Sequence, residues 1–267
     1  LLHEAIPVTG TIVSGTYTDE NIKNYAHGMF QSVYDYPYLS SSANHIFDIT
    51  AGYASDSSLS SSTNPQNAKK INVYNQLAQV LVGHDVTGNI QNFDQDGDIT
   101  AGGTKMRECF FLNFARLLSK DEIKKGSFTT EIYVDGLSEE PSGSVTVSDY
   151  GAETSFKVNS PTGEYGILYT SSATPNTDSG VGHIYYQAGI AVLTSSLLIA
   201  QSGNANFTPA AAGILQLSGA AWNTTVGGAE MIQAIMTGSS ITASCNEFRH
   251  RLKNVKFNNT TELHSTI

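Results

Sequence analysis

Four oxygen-bearing side chains at alternate positions are the residues best placed to do chemistry. Asn92, Asp94, Asp96 and Asp98 are each separated by one residue, and Gly97 occupies the sixth position of the run. Oxygen ligands at this spacing, with glycine at the sixth position, are typical of the front half of an EF-hand calcium loop. The sequence therefore predicts Asn92, Asp94, Asp96 and Asp98 as candidate calcium ligands.

The back half of the run departs from the EF-hand pattern. Its twelfth position, which needs a bidentate glutamate, is Gly103, and its first position is Asn92 instead of aspartate. This disfavours a regulatory EF-hand. Two interpretations stay open: a weaker structural calcium site, because three carboxylates within five residues repel one another unless a cation or solvent screens them, or a solvated Asx-rich turn. No other cofactor is predicted.

Other candidate chemistry fails on spacing. His84 and Asp85 are adjacent, and adjacent residues do not face each other on a helix, so they do not form a base with its orienting carboxylate. The run 102–105 lacks the frame of a P-loop, and the serines 58–62 lack the Gly-x-Ser-x-Gly frame of a hydrolase nucleophile. Because no residues can be given catalytic roles, the sequence predicts that the protein is not an enzyme.

The net charge and the apolar pattern restrict the partners. The chain has 24 acidic and 14 basic residues and a formal charge of −10, which disfavours direct binding to nucleic acid or to an anionic membrane surface. No segment reaches the roughly 18 apolar residues that span a bilayer, and the first residues lack the basic start and apolar run of a signal peptide. Two cysteines, Cys109 and Cys245, make neither a disulfide framework nor a zinc site.

Charge is also unevenly distributed along the chain. Charged residues make up 14% of it, and the 90 residues from Val158 to Glu247 contain no lysine or arginine. A free surface is usually more charged, so much of this region is expected to face sister subunits or other proteins; the alternative is an ordinary fold of low charge. The polar residues Asn204, Gln216 and Asn223 are the predicted contact positions.

Basic residues return in the last segment of the chain. Arg249, Arg251 and Lys253 alternate, which would place them on one face of a strand over residues 247–254. They are predicted to form a basic strip for an acidic neighbour. The alternative is a solvated strand face, since lysines also discourage edge-to-edge pairing.

The apolar periodicity predicts an α+β fold with a helical N-terminal half. Helices are expected over 19–36, 64–83 and 104–118, and the apolar faces of 64–83 and 104–118 are expected to pack on each other. A short capped helical turn is expected to follow at 119–126. An antiparallel, meander- or sandwich-like sheet should follow, with a few short helices. Its strands are expected at 128–134, 144–147, 154–158, 166–170, 182–194 and 247–254, with a helix at 229–236.

The composition changes at Gly126. This change suggests two regions, 1–126 and 127–267, which could also form one continuous domain. The first residue is not methionine, and the last residues fall within an apparent strand, as expected for a fragment of a longer chain. Residues 40–64 are predicted to be a polar connector interrupted by a short apolar run at 46–49.

Residues 71–128, 169–193 and 247–267 resemble a virion structural protein of tailed bacteriophages, notably marine contractile-tailed phages related to the T-even group. The resemblance implies a tail, baseplate or neck component, made in the host cytoplasm and built into the virion. Its partners would be other copies of itself, in a symmetric homo-oligomer, and other virion proteins. It supplies no site residue. The alternative is a carbohydrate- or receptor-binding tail module, stabilised by calcium at the aspartate loop.

Overall fold

A computed structural model describes residues 2–10, 19–61, 66–99, 103–136, 141–172, 180–200, 236 and 240–263. In this part of the chain, antiparallel β-sheet predominates and the helices are short. The strands are β1 Leu2–Gly10, β2 Ile22–Asn24, β3 Gln31–Tyr34, β4 His45–Tyr53, β5 Phe93–Asp94, β6 Lys105–Met106, β7 Glu108–Phe114, β8 Glu122–Ile123, β9 Thr129–Gly136, β10 Pro141–Ser148, β11 Lys157–Ser160, β12 Gly163–Leu168, β13 Gly182–Tyr185, β14 Ile190–Thr194 and β15 Leu252–Leu263. The helices are α1 Gln66–Leu81, α2 Arg116–Ser119, α3 Ala152–Ser155, α4 Leu197–Ala200 and α5 Ile241–Arg251, with 3-10 turns at Asp19–Asn21 and Ser58–Ser61. The predicted α+β fold with a helical N-terminal half is therefore wrong.

The strands form two main sheets and a small hairpin. The larger sheet has the order β11-β12-β13-β14-β7-β4-β3-β2, and the smaller one has the order β1-β15-β9-β10, with β8 also paired to β15. Strands β5 and β6 pair only with each other among the described residues. Both main sheets contain strands from either side of residue 126, so the two predicted regions share both sheets.

Strand β7 lies at the centre of the larger sheet and is covered on both faces. Phe110 stacks on Phe248 of α5, with ring centroids 4.4 Å apart, while its neighbour Phe111 contacts Tyr74 of α1. Successive side chains of a strand point to opposite faces, so both faces of β7 are buried and its sequence is almost continuously apolar. The helix predicted at 104–118 is wrong for this reason: an apolar run this broad also fits a strand buried on both sides.

Helix α1 is confirmed close to its predicted limits. It buries Val73, Tyr74, Ala78 and Leu81, and Gly83 follows with a φ of +91°. A Cβ added to Gly52 of β4 would lie 2.6 Å from the Lys70 carbonyl oxygen, so the glycine allows the helix to pack closely on the sheet. The expected pairing of two helices is wrong, because α1 packs on strands β4 and β7 instead.

A β-hairpin replaces the helix predicted at 19–36. Ile22 of β2 pairs with Val33 of β3, and Gly28 has a φ of +63° in the connection between them. Of the apolar residues that fit a helical face, Ile22 and Val33 are buried in the hairpin, whereas Ala26 is exposed in the connection. The predicted connector 40–64 likewise contains the nine-residue strand β4, which pairs with both β3 and β7.

Later elements also differ from the predictions. The expected strand at 182–194 is a hairpin of β13 and β14 that turns at Gly189, which has a φ of +67°. The expected helical turn at 119–126 contains strand β8, and the expected strand at 154–158 begins within helix α3. The helix predicted at 229–236 lies outside the described residues except for Met236, which is buried.

The two main sheets contact each other through aromatic side chains. Phe114 of β7 lies 6.0 Å from Phe128 and 5.0 Å from Phe257 of β15, measured between ring centroids. Both cysteines are buried free thiols, Cys109 on β7 and Cys245 on α5. Among the described helices, none has the length and apolar character needed to cross a membrane.

Candidate cation-binding loop and adjacent cavity

The β5–β6 hairpin holds the start of the aspartate loop against helix α1. Phe93 pairs with Met106, and Asp94 pairs with Lys105. The Tyr74 hydroxyl donates to the Met106 carbonyl at 2.7 Å and accepts from the Phe93 amide at 3.2 Å, so one side chain fixes both strands. The hairpin is therefore attached to α1 at the point where the loop begins.

Three of the four predicted calcium ligands lie together. Asp94, Asp96 and Asp98 can each offer a carboxylate oxygen, and these three atoms lie within 4.8 Å of one another. The Asp98 amide donates to Asp96 Oδ1 at 3.0 Å, which curls the loop around its own carboxylates. Asp94 is buried, Asp96 is half-buried and Asp98 is exposed, so the group extends from the interior to the surface.

The fourth predicted ligand, Asn92, makes a different contact. Its side-chain amide donates to Asp56 Oδ1 at 3.0 Å, and the other oxygen of Asp56 pairs with Arg107 at 3.0 Å. Asn92 therefore helps to tie the hairpin to the chain segment after β4.

The two oxygens of the Asp94 carboxylate lie in different environments. Its side chain is fully buried, and Oδ2 forms an ion pair with the Lys105 ammonium. Oδ1 is also buried and has no hydrogen-bond partner. An unsatisfied buried polar atom costs about 1–3 kcal/mol, and more for a charged group. Burial raises the pKa of the Asp94 carboxyl, while the contact with Lys105 acts in the opposite direction.

Residues of the larger sheet support the loop backbone. His183 Nε2 bonds the Asp94 carbonyl oxygen at 2.6 Å. The Gly97 carbonyl accepts from the Tyr165 hydroxyl at 3.0 Å and from the Asn159 amide at 2.9 Å. These partners lie 62 to 89 residues from the loop in sequence. Asn159, Tyr165 and His183 cannot be predicted from the sequence, because no local pattern connects them to the aspartates.

His183 is a neutral hydrogen-bonding support. It is buried, and burial lowers the pKa of its imidazole to about 4. The neutral ring donates from Nε2 to the Asp94 carbonyl, which leaves Nδ1 to accept from the Tyr185 hydroxyl at 3.2 Å. Both ring nitrogens therefore have structural partners.

A surface cavity of about 430 Å³ lies beside the loop. Its polar lining side chains are His84, Gln91, Asp98, Asn159 and Ser160. Asp98 thus belongs both to the carboxylate group and to the cavity wall. The neighbouring Asp85 carboxylate accepts from the amides of Thr87 and Asn89, at 2.8 and 2.9 Å, so it organises its own turn instead of orienting His84.

A second polar cluster joins strands β3 and β4. Asp48 Oδ1 accepts from the Ser32 hydroxyl at 2.5 Å and contacts His45 Nε2 at 2.8 Å. The hydrogen bond to Asp48 raises the pKa of His45. A catalytic triad needs the histidine between the nucleophile and the carboxylate, whereas here the carboxylate lies between them. The cluster therefore crosslinks two strands without activating Ser32.

The predicted basic strip does not form as a strand face. Helix α5 continues to Arg251, and Arg249 and Arg251 are only 3% and 2% exposed. Lys253 follows in β15 and pairs with Glu131 at 2.7 Å. The alternating pattern does not indicate a strand here, because Arg249 and Arg251 belong to the last turn of a helix. The other predicted contact residues, Asn204, Gln216 and Asn223, lie outside the described residues.

Comparison with protein-family profiles, with curated proteins and with solved structures found no match to this chain.

Proposed function

We propose that the protein is a structural assembly protein of a tailed-phage virion, a component of the tail, baseplate or neck that acts through protein–protein interfaces. The resemblance of residues 71–128, 169–193 and 247–267 to such proteins supports the proposal. In the virion it would contact further copies of itself, in a symmetric oligomer, and other virion proteins.

The composition of residues 201–235 carries the proposal. The low charge of 158–172 and 180–200 has an internal cause, because strands β12, β13 and β14 are core strands with buried side chains such as Tyr165, Ile184 and Val192. The 35 residues 201–235 contain a single charged residue, Glu230. Free surfaces are about 25–35% charged, so coverage by neighbouring subunits accounts for a segment of this composition.

Lysine substitutions in this segment test the proposal. Asn204→Lys, Gln216→Lys and Asn223→Lys each add a charge that must lose its water at every symmetry-related contact. The isolated variants should keep the melting temperature of the parent and fail to enter particles. Asn72→Lys and Gln79→Lys make the same exchanges at exposed positions of α1 and serve as matched controls.

The measurement is the amount of each variant in purified particles, relative to the parent, after complementation of a phage that lacks the gene. Loss of incorporation for the three variants but not for the two controls supports the interface. Normal incorporation of all three into infectious particles would show that 201–235 is not an assembly surface.

The cavity beside Asp98 favours a second candidate, a carbohydrate- or receptor-binding module. Sugars are recognised by a few convergent amide, hydroxyl and carboxylate groups, and Gln91, Asn159 and Ser160 supply such groups here. A glycan array with the parent and with Gln91→Ala would test it. Binding that the substitution weakens at least tenfold supports this function, and an array without any binding opposes it.

A further inference from the structure

We propose that Asp94, Asp96 and Asp98 form a calcium-binding site. Their three ligand oxygens lie within 4.8 Å of one another, which is within the span of two ligands on opposite sides of a calcium ion, each at about 2.4 Å. This proposal is independent of the assembly function, because it rests on residues 94–98 and not on the composition of residues 201–235.

The buried oxygen of Asp94 is the observation that indicates a ligand. Clustered surface aspartates are common, but each is then satisfied by water. The Asp94 side chain is 0% exposed, and its Oδ1 has no hydrogen-bond donor. Since buried carboxylate oxygens in native proteins are almost always bonded, an ion in contact with Oδ1 supplies the missing partner.

The surroundings of the loop favour a rigid site of this kind. His183 bonds the Asp94 carbonyl, and Tyr165 and Asn159 bond the Gly97 carbonyl, so the backbone on both sides of Asp96 is fixed by the larger sheet. A Cβ at residue 103 would lie 3.3 Å from Asp94 Oδ1, so glycine there leaves room next to that oxygen. Fixed ligands need little reorganisation when the ion binds.

Calcium fits the ligands better than other divalent ions do. Carboxylate oxygens prefer hard cations, and calcium accepts six to eight oxygens in irregular geometry, so water can complete a shell begun by three aspartates. Magnesium requires a nearly ideal octahedron at about 2.0–2.1 Å. Zinc, copper and nickel prefer nitrogen or sulfur ligands, and the group contains neither.

Two lysines near the loop are expected to weaken the binding of calcium. The Lys105 ammonium pairs with Asp94 Oδ2, and the side chain of Lys157 packs beside Gly97. Positive charge next to the site opposes the ion, which indicates a dissociation constant of about 10⁻⁴–10⁻³ M. Removing the nearer charge in Lys105→Met should tighten calcium binding about tenfold or more, because the same carboxylates remain.

The test compares melting temperatures in 10 mM calcium chloride, in 10 mM magnesium chloride and in EDTA. Calcium should raise the melting temperature of the parent by about 3–10 °C over EDTA, and magnesium should raise it by less. Asp96→Asn and Asp98→Asn, at half-buried and exposed positions that leave the core intact, should remove the calcium effect. Asp85→Asn lies in a turn that contains a single carboxylate, so this variant should retain the calcium effect.

Terbium luminescence provides a second readout that does not depend on stability. The Tyr165 hydroxyl lies 3.0 Å from the Gly97 carbonyl, close enough for excited tyrosine to sensitise an ion in the loop. Excess calcium should displace terbium from the parent, and terbium itself should bind Lys105→Met more tightly than the parent, because the removed positive charge opposes any cation. The proposal is overturned if calcium leaves the melting temperature unchanged, if magnesium acts equally, or if both Asn variants keep the calcium effect.

Discussion

His183 on strand β13 and Asp94 on strand β5 are joined by a 2.6 Å hydrogen bond between the imidazole Nε2 and the backbone carbonyl. The two residues are 89 positions apart in sequence. The bond couples the aspartate loop to the larger sheet, because a donor from the sheet satisfies a carbonyl at the base of the loop. A change in the charge of His183 should therefore affect both the loop and the core around it.

The pH dependence of stability should report His183. Its pKa is about 4 in the folded protein and about 6.5 when unfolded, so the unfolded chain binds more protons between these values. Its contribution is present above pH 6.5 and is lost as the pH falls towards 4, at up to about 1.4 kcal/mol per pH unit. His183→Gln should lose this dependence in urea unfolding between pH 4 and 7.5.

The unfolding free energy of His183→Gln must be compared with that of the parent at each pH. Burial raises the pKa of Asp149 to about 6, so that carboxyl titrates in the same window with the opposite effect on stability. The difference between parent and variant cancels the Asp149 contribution and isolates His183. His84→Gln, at an exposed position, is the matched control, and an equal slope difference for it would contradict the assignment.

Asp149→Asn should destabilise the protein by about 1–3 kcal/mol. The Asp149 carboxylate accepts from the amides of Gly126 and Phe128, at 2.7 and 3.0 Å, and from the Tyr186 hydroxyl at 2.9 Å. An asparagine presents an NH₂ group to at least one of these donors, which leaves a buried donor unpaired. Chemical denaturation measures the loss. Tyr186→Phe removes one bond without placing two donors together and should cost less.

Phe110→Ala should cost about 3–5 kcal/mol in unfolding free energy. The ring is fully buried on β7 and stacks on Phe248 of α5, so its removal leaves a cavity between the sheet and the helix. Asn113→Ala, at an exposed position of the same strand, should stay within about 0.5 kcal/mol of the parent. A melting temperature for Phe110→Ala within one or two degrees of the parent would remove this residue from the core.

Gly52→Ala should separate α1 from the sheet. The new Cβ would lie 2.6 Å from the Lys70 carbonyl and 2.9 Å from the Tyr74 amide nitrogen, and neither backbone atom can rotate away. The expected loss is about 3 kcal/mol, at the upper end of ordinary overpacking. Gly88→Ala meets no atom within 4 Å but has a φ of +88°, so it isolates a backbone effect of about 1 kcal/mol. Equal losses in thermal unfolding would argue against the steric explanation.

The sequence predicts those elements whose pattern has a single physical explanation. The apolar face of α1 repeats every three or four residues and ends before Gly83, so its prediction is confirmed. The run around Phe110 and Phe111 does not have a single explanation, since helices and fully buried strands both produce it. The run forms a strand because it pairs with β4 and β14, and those strands are distant from it in sequence.

In the candidate site, too, some residues can be predicted from the sequence and others cannot. The aspartates could be found from sequence because all three lie within one five-residue run. Their supports could not, because Asn159, Tyr165 and His183 reach the loop only when β11, β12 and β13 have joined the larger sheet. The burial of Asp94 Oδ1 without a hydrogen-bond partner also depends on this packing, and the sequence around residue 94 does not predict it.

The position of β15 between β1 and β9 has a consequence for the order of folding. Leu263 pairs with Leu2, while Leu252 pairs with Ile132, so the smaller sheet is joined across almost the whole length of the chain. Closing loops this long has a large entropic barrier, which makes such pairing a late and slow event. During synthesis, β1 and one edge of β9 stay unpaired until β15 has emerged from the ribosome. This nascent stage is when the protein is most exposed to aggregation through its strand edges.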